Sequence, residues 1–268
     1  MIHLQSITVR KWRREDNGDF PFNLPILQSL PELTFSSAVT FFVGENGSGK
    51  STLLEAIACA VGSTTVGSES VKTDISLTAV RQFAAHLQLS WRKRTHKGFF
   101  LRAEDFFGYA KRLAQLQQEL EDDLNSVDQE YEGRSKLAAD LAKTPYMNEL
   151  HEMKKRYGSG LDAYSHGESF LALFQSRFVP GGLYLLDEPE APLSPIRQLA
   201  LIAAIKQMVA QEAQFIIATH SPIIMAFPDA TLWHFEAAQI QPTSYDALEH
   251  VRLTRDFLNN PEAYLRHL

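Results

Sequence analysis

The chain has 268 residues, a formal net charge of −6, 44% hydrophobic and 22% charged residues. These proportions are ordinary for a globular protein with a full core, and the acidic balance argues against a surface that is basic all over, as in a constitutive nucleic-acid coat. No apolar run approaches the length of a membrane span, Met1-Ile2-His3-Leu4 lacks the layout of a signal peptide, and the single Cys59 excludes an internal disulfide, which together suit a cytoplasmic protein.

In chain order, Ile2 to Val9 partly alternates in polarity and predicts a strand. Pro21, Pro25 and Pro31 mark an irregular stretch. Ala38-Val39-Thr40-Phe41-Phe42-Val43 predicts a buried strand and Leu53 to Ala58 a helix, with Cys59 continuing that helix as a small core residue. His86 to Trp91 and Gly98 to Leu101 predict two strands flanking a polar, basic turn. From about Tyr109 to Tyr157, Leu113, Leu116, Leu120, Leu124, Val127 and Tyr131 recur at spacings of three and four, the helical period. Gly133 and Pro145 divide this region into two or three helices. Leu183 to Leu186 predicts a buried strand, Pro195 to about Gln211 a helix, Gln214 to Ala218 and Thr231 to Phe235 further strands, and the tail from Tyr245 is helical with a break near Pro261. The fold class expected is α/β: one domain over residues 1–268, with a helical lobe inserted at about 105–165.

Between the strand ending at Val43 and the helix beginning near Leu53 lies Gly44-Glu45-Asn46-Gly47-Ser48-Gly49-Lys50-Ser51-Thr52, a complete phosphate-binding loop. Its glycines let backbone N–H groups turn inward around a polyphosphate, and the helix N-terminus adds partial positive charge. Lys50 is placed to reach the β- and γ-phosphates of a nucleoside triphosphate, and the Ser51 hydroxyl to bind Mg²⁺.

Three later segments complete a constellation. Leu183-Tyr184-Leu185-Leu186-Asp187-Glu188-Pro189-Glu190 is an apolar strand ending in adjacent carboxylates. Asp187 fits the Mg²⁺ shell, usually through water, and Glu188 fits a general base that polarises a water in line with the γ-phosphate. Tyr164-Ser165-His166-Gly167-Glu168 reads locally as a capping box on a helix start, and the Ser165 hydroxyl with the Gly167 amide makes an anion site there. Thr219-His220-Ser221-Pro222 reads as Ser221 N-cap with Pro222 at the first helical position, and His220 follows a core strand where it can contact a γ-phosphate. The basic clusters Arg10 to Arg14, Arg92 to Arg94 and Lys154 to Arg156 read as solvated surface.

This ordered set resembles the ABC-type ATPase superfamily across essentially the whole chain, which implies an α/β fold with a central largely parallel sheet, an antiparallel β element and an inserted helical lobe. Within it the chain looks similar to the non-transporter branch of SMC, RecF and OLD-like ATPases, and in particular to small stand-alone bacterial predicted ATPases. The segments that carry the closer match include Thr40 to Gly47, Phe99 to Glu104, Ser165 to Phe170, Leu186 to Ala191 and Ala218 to Pro222. The resemblance implies that two subunits sandwich two ATP molecules, each between the Lys50 loop of one and the Ser165 region of the other. Pro192-Leu193-Ser194 takes the place of the interface-crossing segment, Glu188 acts as base and His220 as sensor, and hydrolysis separates the subunits. DNA or another protein subunit is the partner class the branch implies.

The chain also departs from the superfamily pattern. Ser-His-Gly-Glu replaces the transporters' Ser-Gly-Gly-Gln, so Ser165 and Gly167 are the residues carried over. The glutamine that links Mg²⁺ to the helical lobe has no clear counterpart; Glu104 is the first candidate and Gln88 the weaker. Trp12 and Phe20 are the candidates for stacking on adenine. The function expected is a Mg-dependent ATPase whose ATP-sandwiched homodimer is a switch on DNA or a protein partner. The alternatives are the energy-coupling subunit of a membrane transporter, disfavoured by the signature and by Ser-Pro after His220, and a module that uses ATP only to assemble.

Overall fold

The run Val39 to Gly44 has no polar face, so it is stable only as a strand covered on both sides. That is the position it takes in the computed structural model, which describes residues 1–10, 18–66, 70–131, 135–157, 166–236 and 238–266. The elements are β1 (Leu4–Val9), α1 (Pro25–Gln28), β2 (Leu33–Thr34), β3 (Val39–Gly44), α2 (Lys50–Val61), α3 (Thr78–Ala84), β4 (Leu87–Trp91), β5 (Phe100–Arg102) and α4 (Ala103–Glu130). They continue with α5 (Lys136–Tyr157), α6 (His166–Arg177), β6 (Leu183–Asp187), α7 (Pro195–Ala210), β7 (Gln214–Ala218), α8 (Pro222–Met225), β8 (Thr231–Glu236), β9 (Gln239–Thr243), α9 (Glu249–Asn259) and α10 (Pro261–Leu265). None of these helices is long and apolar enough to cross a membrane.

The central sheet has the order β5-β6-β7-β3-β8-β9, parallel except for the edge strand β9. A second, antiparallel sheet has the order β2-β1-β4. Alternation along β3 divides the core in two. Phe42 joins Leu53, Leu54 and Ile57 of α2 and Leu4, Ile7 and Leu33 of the antiparallel sheet. Phe41 and Val43 face the other way, onto Phe170 and Phe174 of α6 and Leu201 and Ile205 of α7. Helix α2 is therefore held between the two sheets, and its first turn is anchored at the end of β3.

A buried glutamine side chain ties the sheets together. Gln214, fully buried at the start of β7, accepts from the His3 and Leu4 backbone N–H groups at 2.7 and 2.8 Å and donates to the Leu4 carbonyl at 2.9 Å.

Two local expectations are corrected. The strands predicted over His86–Trp91 and Gly98–Leu101 are not neighbours: β4 pairs with β1 in the antiparallel sheet, and β5 pairs with β6 in the central one. Pro145 does not divide the lobe either, for it lies inside α5. A proline there removes one helix N–H, but Leu141, whose carbonyl is left over, is 64% exposed and open to water. Gly133 lies outside the described residues. Helices α4 and α5 pack on each other, with Leu120, Val127 and Leu150 buried between long polar faces.

Candidate nucleotide and metal site

Parallel strands bring their carboxyl ends to one edge, and the loops that leave that edge form the site. Asp187 of β6 is in register with Ala218 of β7, and Ala218 with Phe42 of β3. The ladder continues one step beyond the strands: Glu188 N–H donates to the Ala218 carbonyl at 2.9 Å and Thr219 N–H to the Phe42 carbonyl at 3.2 Å. Backbone bonding thus aligns the phosphate loop, the carboxylate turn and the histidine turn.

The loop's shape needs its glycines. Gly44 has φ +147°, and a Cβ there would lie 2.3 Å from the Phe235 carbonyl oxygen. Gly49 has φ +94° and caps α2 without a side-chain hydrogen bond, so the first N–H groups of the helix are left for an anion. Glu45, Asn46 and Gly47 are exposed, Ser48 and Thr52 half-buried, and the buried Ser48 Oγ has no partner among the described residues.

Lys50 is 4% exposed, and its Nζ donates to the carbonyls of Gly44 and Glu45 at 2.7 and 2.8 Å. Burial pulls its pKa down, while the carboxylates of Glu188, Asp187, Glu45 and Glu190 pull the other way. One residue further on, Ser51 Oγ donates to Asp187 Oδ1 at 2.9 Å. Burial pushes the Asp187 carboxyl up to about 7, the Ser51 hydrogen bond opposing and the charges of Glu55 and Glu188 adding to the rise. A carboxyl so placed needs a cation to hold its charge at neutral pH. Hydroxyl and carboxylate are both hard oxygen donors that suit Mg²⁺. No group of three or more His, Cys, Asp or Glu forms a metal cluster among the described residues. The residues present therefore fit a nucleotide-bound Mg²⁺.

Glu188 follows with φ +47°, an uncommon left-handed backbone for a non-glycine residue, which turns its side chain out of the strand direction. Its Oε1 lies 3.5 Å from His220 Nδ1. The structure thus joins Ser51 to Asp187 and Glu188 to His220 along one edge.

Other sequence candidates are placed elsewhere or are not described. Ser165 and Trp12 lie outside the described residues, and Gly167 is in the first turn of α6. The carboxylate of Glu104 is 76% exposed, and its ion pair is with Arg102 at 3.6 Å rather than with Ser51 or Asp187. Gln88 is exposed on β4 in the antiparallel sheet, opposite Thr8. Phe20 is 48% exposed. Of the segment likened to an interface crossing, Leu193 is buried in the chain's own core and Ser194 is exposed at the start of α7.

Two residues given no role by sequence reasoning stand out. Arg102 ends β5 in register with Asp187 and binds Asp105 at 2.8 Å, Asp74 at 3.0 Å and Glu55 at 3.4 Å. Burial works against its charge, but these carboxylates outweigh it and its pKa rises. The guanidinium therefore ties α2, which carries the phosphate loop, to the first turn of α4. Its signal in the sequence is a lone cation at the end of the apolar run Phe99-Phe100-Leu101. The other is Glu190, the third acid of the carboxylate turn, which is 8% exposed.

With this geometry in hand, the comparisons decide the family. The model of the RecF/RecN/SMC N-terminal domain matches residues 27–239. The chain belongs to that family. It is an ABC-type P-loop ATPase of the SMC/RecF type, with the mostly parallel central sheet, antiparallel sheet and helical lobe that the resemblance implies. Among solved structures it is similar to an Smc head domain from Pyrococcus furiosus bound to the C-terminal domain of ScpA, at 12% identity over 96% of this chain and 100% of that one, TM-score 0.45. It is similar also to the SMC head domain from Thermotoga maritima, at 15% identity over 91% and 100%, TM-score 0.44. An ATP-binding cassette of an ABC transporter in its ADP conformation matches at 15% identity over 98% and 96%, TM-score 0.44. The family assignment does not rest on these distant likenesses. No curated protein matches the chain.

Proposed function

We propose that this SMC/RecF-type chain hydrolyses ATP with Mg²⁺, and that ATP-dependent pairing of two chains is a switch acting on DNA or a protein partner. The observation that carries the reading is the pairing of Ser51 with Asp187 at 2.9 Å beside that of Glu188 with His220 at 3.5 Å, at the mouth of a complete phosphate loop.

In this reading the loop N–H groups and Lys50 hold the phosphates, Lys50 exchanging the two carbonyls for β- and γ-phosphate oxygens. Ser51 and Asp187 would hold Mg²⁺, which supplies charge neutralisation on the phosphate oxygens. Glu188 takes a proton from the water that attacks the γ-phosphorus as the bond from that phosphorus to the β-phosphate oxygen breaks, giving phosphate and ADP. His220, with Nδ1 3.5 Å from the Glu188 carboxylate, would turn Nε2 to the γ-phosphate. Loss of the γ-phosphate would remove one of the two groups the ring contacts, leaving Glu188. Closure of two chains around ATP then depends on a contact that ADP does not offer, and that difference in affinity drives the switch.

The test is the solution mass of Glu188→Gln protein, with and without Mg-ATP. A monomer-to-dimer shift with ATP alone supports the switch. No shift means that pairing requires another chain or does not occur. Titration of the closed form with DNA then separates the partners: DNA binding weakens with salt, with a log–log slope of about −0.9 per phosphate neutralised, and a protein partner does not follow that rule.

A further inference from the structure

Two turns leave neighbouring strands at the site, one carrying Asp187 and Glu188, the other His220. Besides the Glu188–His220 pair, a buried side chain joins them. Glu190 Oε1 accepts from Thr219 Oγ1 at 2.5 Å, from the His220 N–H at 3.0 Å and from the Ser221 N–H at 3.1 Å. A carboxyl group this buried is expensive to desolvate; three donors converge on its Oε1, while Oε2 has no partner among the described residues, so what holds the side chain is the bonding to the histidine turn.

The donors do not depend on it equally. The Ser221 N–H also faces Thr219 Oγ1 at 3.0 Å, so it keeps a partner without Glu190. For the His220 N–H the bond to Glu190 is the one the structure gives. The far side of the turn is pinned separately: Ser221 Oγ donates to Gln198 Oε1 at 2.5 Å and accepts the Ile224 N–H at 3.2 Å, and Gln198 Nε2 donates to the Leu193 carbonyl at 3.1 Å. The backbone around His220 is thus fixed on both sides, while its ring is 44% exposed and aimed at Glu188. Glu190 starts from the same short turn as Glu188, so whatever moves one turn moves the other.

We infer that Glu190 is a positioning residue: it clamps the His220 backbone to the carboxylate turn, so that the imidazole meets Glu188 and the γ-phosphate as one rigid unit. The inference rests on the proposed ATPase reading, and its test separates the two.

The experiment compares Mg-ATP turnover of the full chain with that of Glu190→Ala, His220→Ala and the double variant, together with hydrogen exchange at the 219–221 amides. E190A is expected to lose about 10²-fold in kcat with KM changed less than about threefold, because positioning is removed and phosphate binding is not. The double variant is expected to fall no further than H220A, since Glu190 acts through His220. Exchange at the His220 amide rises by about tenfold or more in E190A. Glu190→Gln keeps the accepting oxygen and recovers most of the loss, which a general packing defect would not allow. Multiplicative losses in the double variant, or unchanged exchange at His220, overturn the inference. If the unmodified chain proves inactive, the ATPase reading fails, and the exchange result alone decides whether Glu190 clamps the turn. If E190A does not fold, Glu190→Asp against E190Q carries the same comparison: Asp, one methylene short, exposes the His220 amide to exchange and Gln does not, and equal protection in both overturns the clamp.

Discussion

Phe215 on β7 is fully buried, whereas Leu137 on α5 is 71% exposed, although both are large apolar side chains. The contrast runs through the two regions they represent. The sheet is covered on both faces and knitted by aromatic pairs such as Tyr184 and Phe215, with ring centroids 4.9 Å apart. On the α4–α5 pair, Leu116, Leu137, Leu141 and Met147 are exposed, and the helices rely on their own ladders and on a narrow seam. The sheet thus holds the reacting groups in a packed frame, while much of the α4–α5 surface lies outside the core. The Arg102 cluster lies where the two meet, with Glu55 on α2 and Asp105 on α4.

Substitution in the sheet should have the largest effect. Phe215→Ala is expected to destabilise the chain by about 3–5 kcal/mol, measured by denaturant unfolding, because a cavity opens between two rigid layers. A loss under 1 kcal/mol would mean that the sheet is more plastic than its burial implies. Next comes the chemistry on that frame. Glu188→Gln should lower turnover by about 10²-fold or more with ATP affinity kept, and unchanged turnover removes Glu188 from the base role.

A third effect is set by pH. The Asp187 carboxyl is raised from 3.8 to about 7, so between those values the folded chain binds a proton that the unfolded chain has lost. Stability of the metal-free chain should therefore fall as pH rises from about 4 through 7, by up to a few kcal/mol. Asp187→Asn should flatten that slope. Glu55, whose pKa burial also raises, leaves a residual slope of the same sign. Binding of Mg-ATP below pH 7 should release a proton, measurable by calorimetry in buffers of different ionisation enthalpy. The smallest effect is expected in the lobe: Leu137→Ala should stay within about 0.5 kcal/mol. A larger loss would show that the exposed face is covered in solution and sharpen the search for what covers it.

Sequence reading reached some residues and not others for a physical reason. Lys50, Ser51, Asp187, Glu188 and His220 are placed by strand ends, and a buried strand followed by a turn is a local pattern. Ser221 as N-cap was legible for the same reason, and its Oγ accepts the Ile224 N–H. Glu190 and Arg102 were not, because their roles depend on partners brought from other elements, the donors to Glu190 from 29 to 31 residues away. Glu104 drew attention by adjacency to a strand, yet it is the neighbouring Arg102 that is buried. Strand pairing failed similarly: β4 and β5 were each visible, but which sheet takes each one is settled by α2 lying between them.

Gln214 acts as a register key. Its amide reads the backbone of His3 and Leu4 as a neighbouring strand would, accepting twice and donating once. A slip of β1 by one residue would strand buried N–H groups in a dry layer, so the antiparallel sheet has one permitted height above the central one. The helix clamped between them inherits that height, and with it Lys50 and Ser51. A glutamine far in sequence from the phosphate loop thereby fixes one of the two layers that the loop's helix packs between.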